Sequence, residues 1–269
     1  MSLTTTPTEA LSANLLGTIG FGGEANAEIT AFDPVSQRLF VTSGEGIRIV
    51  DFSNPALPVL IGQGPVDLVA LGGISNNVSS VAIKNGIVAL SLINTDKVLP
   101  GEVLFLDAAT GTYLNKVTVG ANPDMVTFTP DGLKVLVANE GELKEDDPTD
   151  AEGSVSIIDL ASGVAAASVT TAGFSAFNGQ EAALRAADVR IAAGKSASQD
   201  FEPEYISITP DGSKAYVTLQ ENNAIAILDI ATGTFEDVVG LGLKDFSPLL
   251  ADFSDRDGPG STTAINLKT

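Results

Sequence analysis

The sequence predicts an all-β fold: a β-propeller of four-stranded antiparallel blades, about four of them present, with one short helical insertion. Three observations predict it. A hairpin unit recurs along the chain, aspartates close its third strand at blade-like spacing, and the composition suits short strands joined by tight turns.

The recurrence is clearest between Asp124–Glu140 and Glu204–Gln220. Each reads as an alternating strand, a turn, and a second strand. The turns are Pro130-Asp131-Gly132 and Pro210-Asp211-Gly212. Proline fixes φ and glycine accepts positive φ, so both are hairpin turns with a mechanism. Third strands follow: Gly153–Gly163 matches Asn223–Gly233. Fourth strands are expected near Val164–Thr170 and Phe235–Gly240. Two earlier units fit the same template. One joins Ile29–Val41 to Ile47–Phe52. The other joins Val81–Leu92 to Val103–Leu106, with Asn85-Gly86 as its turn.

Asp51, Asp107, Asp159 and Asp229 end the third strands, at separations of 56, 52 and 70 residues. Residues 1–14 read as a tail and 15–269 as one propeller domain. Leu15–Phe21 reads as an outer strand of the kind that completes a last blade. The fourth unit ends near Gly242, and no clear fifth hairpin follows. The expectation is therefore an incomplete ring, its remaining blades supplied by a longer chain or a partner.

Glycine numbers 27 of 269 residues, apolar residues make up 44% and charged residues 18%, which is a globular composition. The net charge of −20 repels phosphate backbones and excludes nucleic acid as a natural partner. It attracts hard cations, calcium foremost, because carboxylates are oxygen ligands. Cysteine and histidine are both absent. That removes disulfides, thiolate zinc sites and a Ser-His-Asp triad, so any metal must be held by oxygen. No stretch of about 18 apolar residues predicts a membrane span. Met1–Ala13 does not resemble a signal peptide.

Strand polarity sorts the loops. The connection before strand one and the loop between strands two and three share one face of the ring. The tight turns belong to the other. All three long insertions, at 140–152, 171–201 and 243–262, fall on the first face, where binding residues gather. The second insertion predicts a helix at Gln180–Ala187, with Asn178 and Glu181 spaced as a capping box. The first holds seven acids between Glu140 and Glu152. It lacks the alternating pattern of an EF-hand and reads as a solvated loop.

Counting back six residues from the turn prolines gives Glu28, Asp124 and Glu204 at equivalent positions. They are expected to converge at the channel mouth on the insertion-bearing face. In the second unit only Asn76 and Asn77 lie nearby. Glu45, Glu140 and Glu221 end second strands on the same face, and Glu202 adds a further carboxylate. Like charges this close raise one another's pKa unless a cation intervenes. A calcium site built from Glu28, Asp124, Glu140, Glu204 and Glu221 is the expectation, set against side chains that splay into solvent and bind nothing.

Ala215–Gly233 resembles the YVTN-type propeller repeat. A wider string is more specific. Asn139-Glu140-Gly141-Glu142, Thr171–Gly179, Pro203-Glu204-Tyr205-Ile206, Leu219-Gln220-Glu221-Asn222 and Ser254-Asp255-Arg256-Asp257-Gly258 occur in that order. Together they resemble the bacterial choice-of-anchor I propellers, related to the mesenchyme-specific cell-surface glycoprotein. The resemblance implies a secreted or surface-anchored propeller with further blades downstream. Members are sometimes labelled alkaline-phosphatase- or phytase-like.

Two functions follow as expectations. One is a binding or scaffold module that presents its insertion face to a surface ligand or glycan. The other is a calcium-dependent phosphoesterase acting on a small phosphorylated molecule, with Arg256 and Lys244 contacting phosphate.

Overall fold

The computed structural model describes residues 13–21, 27–43, 45–141, 151–243, 250–251 and 263–264. Four antiparallel sheets of four strands each follow one another along the chain. Blade 1 contains β1 (Thr30–Asp33), β2 (Arg38–Ser43), β3 (Gly46–Asp51) and β4 (Val59–Val66). Blade 2 contains β5 (Val78–Lys84), β6 (Ile87–Leu92), β7 (Pro100–Asp107) and β8 (Tyr113–Ala121). Blade 3 contains β9 (Pro123–Phe128), β10 (Lys134–Asn139), β11 (Ser154–Asp159) and β12 (Ser168–Gly173). Blade 4 contains β13 (Ile206–Ile208), β14 (Lys214–Leu219), β15 (Ala224–Asp229) and β16 (Thr234–Gly240).

Within each blade the strands pair in chain order, as an up-and-down meander. First strands of successive blades touch one another, so they form the inner wall. A blade is covered on both faces, and its central strands are therefore apolar without interruption. Val135 to Ala138 of β10 are all fully buried. Val135 and Val137 pack toward blade 2 with Val103 and Phe105. Leu136 and Ala138 pack toward blade 4 with Ala215 and Val217.

The turn chemistry is as the sequence predicts. Gly132 and Gly212 take φ of 75° and 72°, and the Asn85-Gly86 turn has φ of 52° and 76°. The third-strand aspartates earn their recurrence by closing the next hairpin. Asp107 Oδ1 accepts the backbone N–H and hydroxyl of Thr110, both at 2.8 Å, and Asp229 does the same with Thr232. Asp51 and Asp159 accept the N–H of Ser53 and Ala161. All four carboxyls are held below the usual range, Asp159 foremost by the Lys134 ammonium, Asp51 by the Ser53 side chain, and Asp107 and Asp229 by these threonine hydrogen bonds.

Three local features differ from the sequence reading. Residues 13–21 form no strand; Gly17 lies instead against the carbonyls of Pro55 and Ala56, and Phe21 covers the Arg48 guanidinium at 5.2 Å. A strand needs a partner edge, and this segment packs on blade 1 by close approach. Beyond Gly242, Leu250–Ala251 pairs antiparallel with Thr263–Ala264, a pairing the sequence did not suggest.

The third difference is the capping box. The predicted helix is present as α1 (Glu181–Ala186), but Asn178 does not cap it. Asn178 reaches Ser198 instead, donating to its hydroxyl at 3.0 Å and accepting its N–H at 2.9 Å. A capping box does form in this insertion, at Ser196 and Gln199 of α2 (Ala197–Asp200). Tertiary hydrogen bonds outcompete the local cap, because Ser198 is fully buried and its polar atoms must be paired.

Candidate functional site

The candidate site is the rim at the start of the first strands, on the face that carries the long connections. The strand-one entries of blades 1 and 4 repeat one backbone device. Ile29 N–H donates to the Thr42 hydroxyl, and Thr42 N–H returns to the Ile29 carbonyl. Tyr205 and Thr218 do the same in blade 4. In blade 3, Pro123 faces Asn139 and Met125 faces Ala138, which leaves Asp124 as the extra residue of a bulge. A bulge re-aims its unpaired side chain, and here it turns a carboxylate toward the rim. Glu28, Asp124 and Glu204 thus occupy equivalent positions.

Blade 2 has the same bulge, between Val78 and Ser80, and its extra residue is Ser79. The sequence alone offers no clear counterpart in this blade, only Asn76 and Asn77 nearby. Asn76 Oδ1 accepts the N–H of Leu68 at 2.7 Å and of Val69 at 3.2 Å, shaping the connection from blade 1. Asn77 accepts the Ile93 N–H through its carbonyl. Ser79 donates to the Pro123 carbonyl across the blade boundary. Matching the ends of the second strands, Leu92 against Asn139, would have found it.

That serine explains which carboxylates meet. Asp124 and Glu204 belong to adjacent blades, and Glu221 follows β14 in the same blade as Glu204. Burial pushes the Glu204 carboxyl above its ordinary value, and the charges of Asp124 and Glu221 push it further. Burial likewise raises Asp124, offset in part by the Lys97 ammonium from the β6–β7 loop. Glu28 is separated from this group by blade 2 and is exposed. Glu45 is exposed on its own turn. Glu140 accepts the Asn122 side-chain amide, and its N–H donates to the Asn122 carbonyl at 3.0 Å. Glu202 donates its N–H to Asn222 Oδ1 at 3.3 Å.

Among the described residues no three carboxylates approach closely enough to ligate one ion. Glu142, Glu145, Asp146, Asp147 and Asp150 of the acidic insertion, with Lys244 and Arg256, lie outside the described residues.

The acidic rim is flanked by a firmly tied insertion. Ser198 donates to Glu152 at 2.9 Å, and Glu181 accepts the N–H groups of Gly179 and Ala197. Arg185 donates to the carbonyls of Ile191 and Ala192, both at 3.0 Å. No local motif announces this lattice, since its partners are as much as 46 residues apart.

A stability prediction follows from Glu204. Its folded pKa is raised above the unfolded value, so the charged form costs stability at neutral pH, and that cost is relieved as pH falls through the folded pKa. Glu204→Gln is expected to melt higher than the parent chain at neutral pH. The two curves should converge near pH ~4, where an unfolded glutamate is about half protonated. Equal melting temperatures at neutral pH would contradict the rim electrostatics.

Comparison with known proteins agrees with this architecture. The β-propeller domain of Myceliophteria thermophila Cps50 (Swd1) matches at 11% identity and a TM-score of 0.53, over 80% of this chain and 56% of that one. A functionally unknown protein from Desulfotomaculum acetoxidans matches at 15% identity and 0.52, over 85% and 61%. The periplasmic gluconolactonase PpgL of Pseudomonas aeruginosa matches at 14% and 0.51, over 82% and 59%. At such identities the likeness shows the fold alone, and the chain spans less than two thirds of each of these structures. No curated protein matches. The choice-of-anchor I domain matches over residues 28–269, which takes in every blade, and the chain belongs to that family.

Proposed function

We propose that this chain is a binding module of a secreted or cell-surface protein, which recognises a surface ligand or glycan through its insertion-bearing face, with calcium as counter-ion to that face. The observation that carries the reading is that Asp124 and Glu221 each lie near enough to Glu204 to raise its carboxyl, beside an insertion whose polar groups are held in place. A rigid loop lattice lowers the ordering cost of binding, and so favours recognition. Among the described residues no helix is long and apolar enough to cross a membrane. The same reading places the remaining blades in a longer chain or a partner.

Calcium binding on this rim requires donors beyond those three carboxylates in their present positions, or a small closure of blades 3 and 4. Either route binds folded protein and not the unfolded chain, so calcium is expected to raise the melting temperature. At a free concentration about a hundred times its Kd, linkage supplies about 2.7 kcal/mol. The shift should vanish with chelator and shrink in the Glu204→Gln, Glu221→Gln double variant. Absence of any calcium shift in the parent chain sinks the calcium part of the reading. The phosphoesterase alternative is tested on the same samples with p-nitrophenyl phosphate. Calcium-dependent turnover lost in Glu204→Gln would replace the binding module with an enzyme.

A further inference from the structure

We propose that the opposite end of the channel, at the tight hairpin turns, is a binding site for a small organic anion: one carboxylate on a compact apolar body. Residues of three first strands line an open hollow of about 360 Å3 there. Ala82, Ile83 and Lys84 come from β5, Thr127 and Phe128 from β9, and Ile206, Ser207 and Ile208 from β13. The volume lies at the small end of ligand pockets, which run from roughly 300 to 1,000 Å3. First strands run from the acidic rim toward the hairpins, so Lys84, Phe128 and Ile208 lie at the far end of these strands from Asp124 and Glu204. It does not rest on the function proposed above.

Three polar side chains, one from each blade, line the cavity without a protein partner among the described residues. They are the Lys84 ammonium and the hydroxyls of Thr127 and Ser207. The lysine is the telling one. The chain carries 34 acids against 14 bases, so an ammonium is expected to find a carboxylate. Lys116 pairs with Glu102 at 2.8 Å, Lys134 with Asp159 at 2.9 Å, and Lys214 with Glu236. Lys84 is half-buried and pairs with no carboxylate among the described residues.

The acids nearest in the fold are already engaged. Asp131 accepts the Thr129 hydroxyl at 2.6 Å and the Leu133 N–H at 2.9 Å. Asp211 accepts Thr209, and Ser213 twice. Each closes its own turn, and Asp131 does so through Thr129, which with Pro130 also lines the cavity. The first strands pair on one edge only, which leaves backbone N–H groups along the channel as further donors. Phe128, Ile206 and Ile208 supply apolar wall. An ammonium, two hydroxyls and free N–H groups are donors, or can act as donors, and so match a carboxylate. The chain's overall negative charge does not forbid this. Fields between exposed charges fade beyond about 8 Å at physiological salt, and Lys84 is the one charged residue of the lining.

The test is calorimetric titration of the intact chain with acetate, hexanoate and phenylacetate, and with phenylacetamide as the uncharged isostere. Hexanoate or phenylacetate is expected to bind saturably, with the amide about tenfold weaker or worse. Lys84→Met should weaken the acid about tenfold while leaving the melting temperature unchanged, because the lysine supports no contact that holds the fold. Thr127→Val should weaken it less. No saturable binding by any of the three acids overturns the proposal. So does equal affinity for acid and amide, or unchanged binding by Lys84→Met.

Discussion

Phe174→Ala is expected to lower the stability of the chain by about 3–5 kcal/mol, the range for truncating a large, well-packed aromatic. Phe174 directly follows β12 of blade 3 and is fully buried. Its ring stacks on Phe235 of β16 in blade 4, with centroids 4.0 Å apart and planes 16° from parallel. The edge of Phe201, at the end of the insertion, meets it at 5.2 Å and 84°. Phe177 lies at 6.4 Å. One side chain therefore fastens two blades and the loop region to each other. Phe235 belongs to a sheet strand that resists collapse into the void, so part of the cavity should persist. Native stabilities are typically 5–15 kcal/mol, so this loss is a large share of the total. The chain has no tryptophan, and denaturant curves are best followed by circular dichroism. Phe174→Leu should recover more than half of the loss. A change below about 1 kcal/mol in the alanine variant would mean that the insertion does not pack as described.

How much of this was legible in the sequence depends on the range over which each signal acts. The hairpin turns, the third-strand aspartates and the blade count are local, written within about a dozen residues, and all could be read. The equivalence of Glu28, Asp124 and Glu204 could also be read, because it is counted from a local turn. Which of the three would meet could not. That depends on the residue blade 2 places between them, and Ser79 sits on a bulge whose register is fixed by pairing with Leu92 and Ser91. The Asn178 cap was read as a local motif and lost to Ser198, a partner 20 residues away. Lys84 carried no motif at all. Its significance is the lack of a partner, which only the assembled blades reveal.

Asn222 gives the second large effect, and it links stability to the rim itself. Its side chain is 2% exposed, and it stands where the β14–β15 hairpin meets the insertion. Nδ2 donates to the Arg190 carbonyl at 3.0 Å, the Asp200 carbonyl at 2.9 Å and the Asp200 carboxylate at 3.0 Å. Oδ1 accepts the Glu202 N–H. Asn222→Ala strands these groups, and is expected to cost about 2–4 kcal/mol. Hydrogen exchange should accelerate first in residues 188–204, which carry Glu202 and Glu204 to the rim, and least in blade 2. Asn222→Asp is the sharper version. It keeps the shape but sets a carboxylate against Asp200 and two carbonyls, so it should lose more than alanine at neutral pH. In that fold the introduced carboxyl is raised above its unfolded pKa. Its charge therefore destabilises fully above the raised value, and the loss relative to Asn222→Ala should shrink as pH falls toward ~4. Denaturation of both variants at neutral and acid pH separates the outcomes. If the aspartate variant stays the more stable at neutral pH, then Asp200 does not face this amide, and the insertion does not brace the acidic rim in the way described.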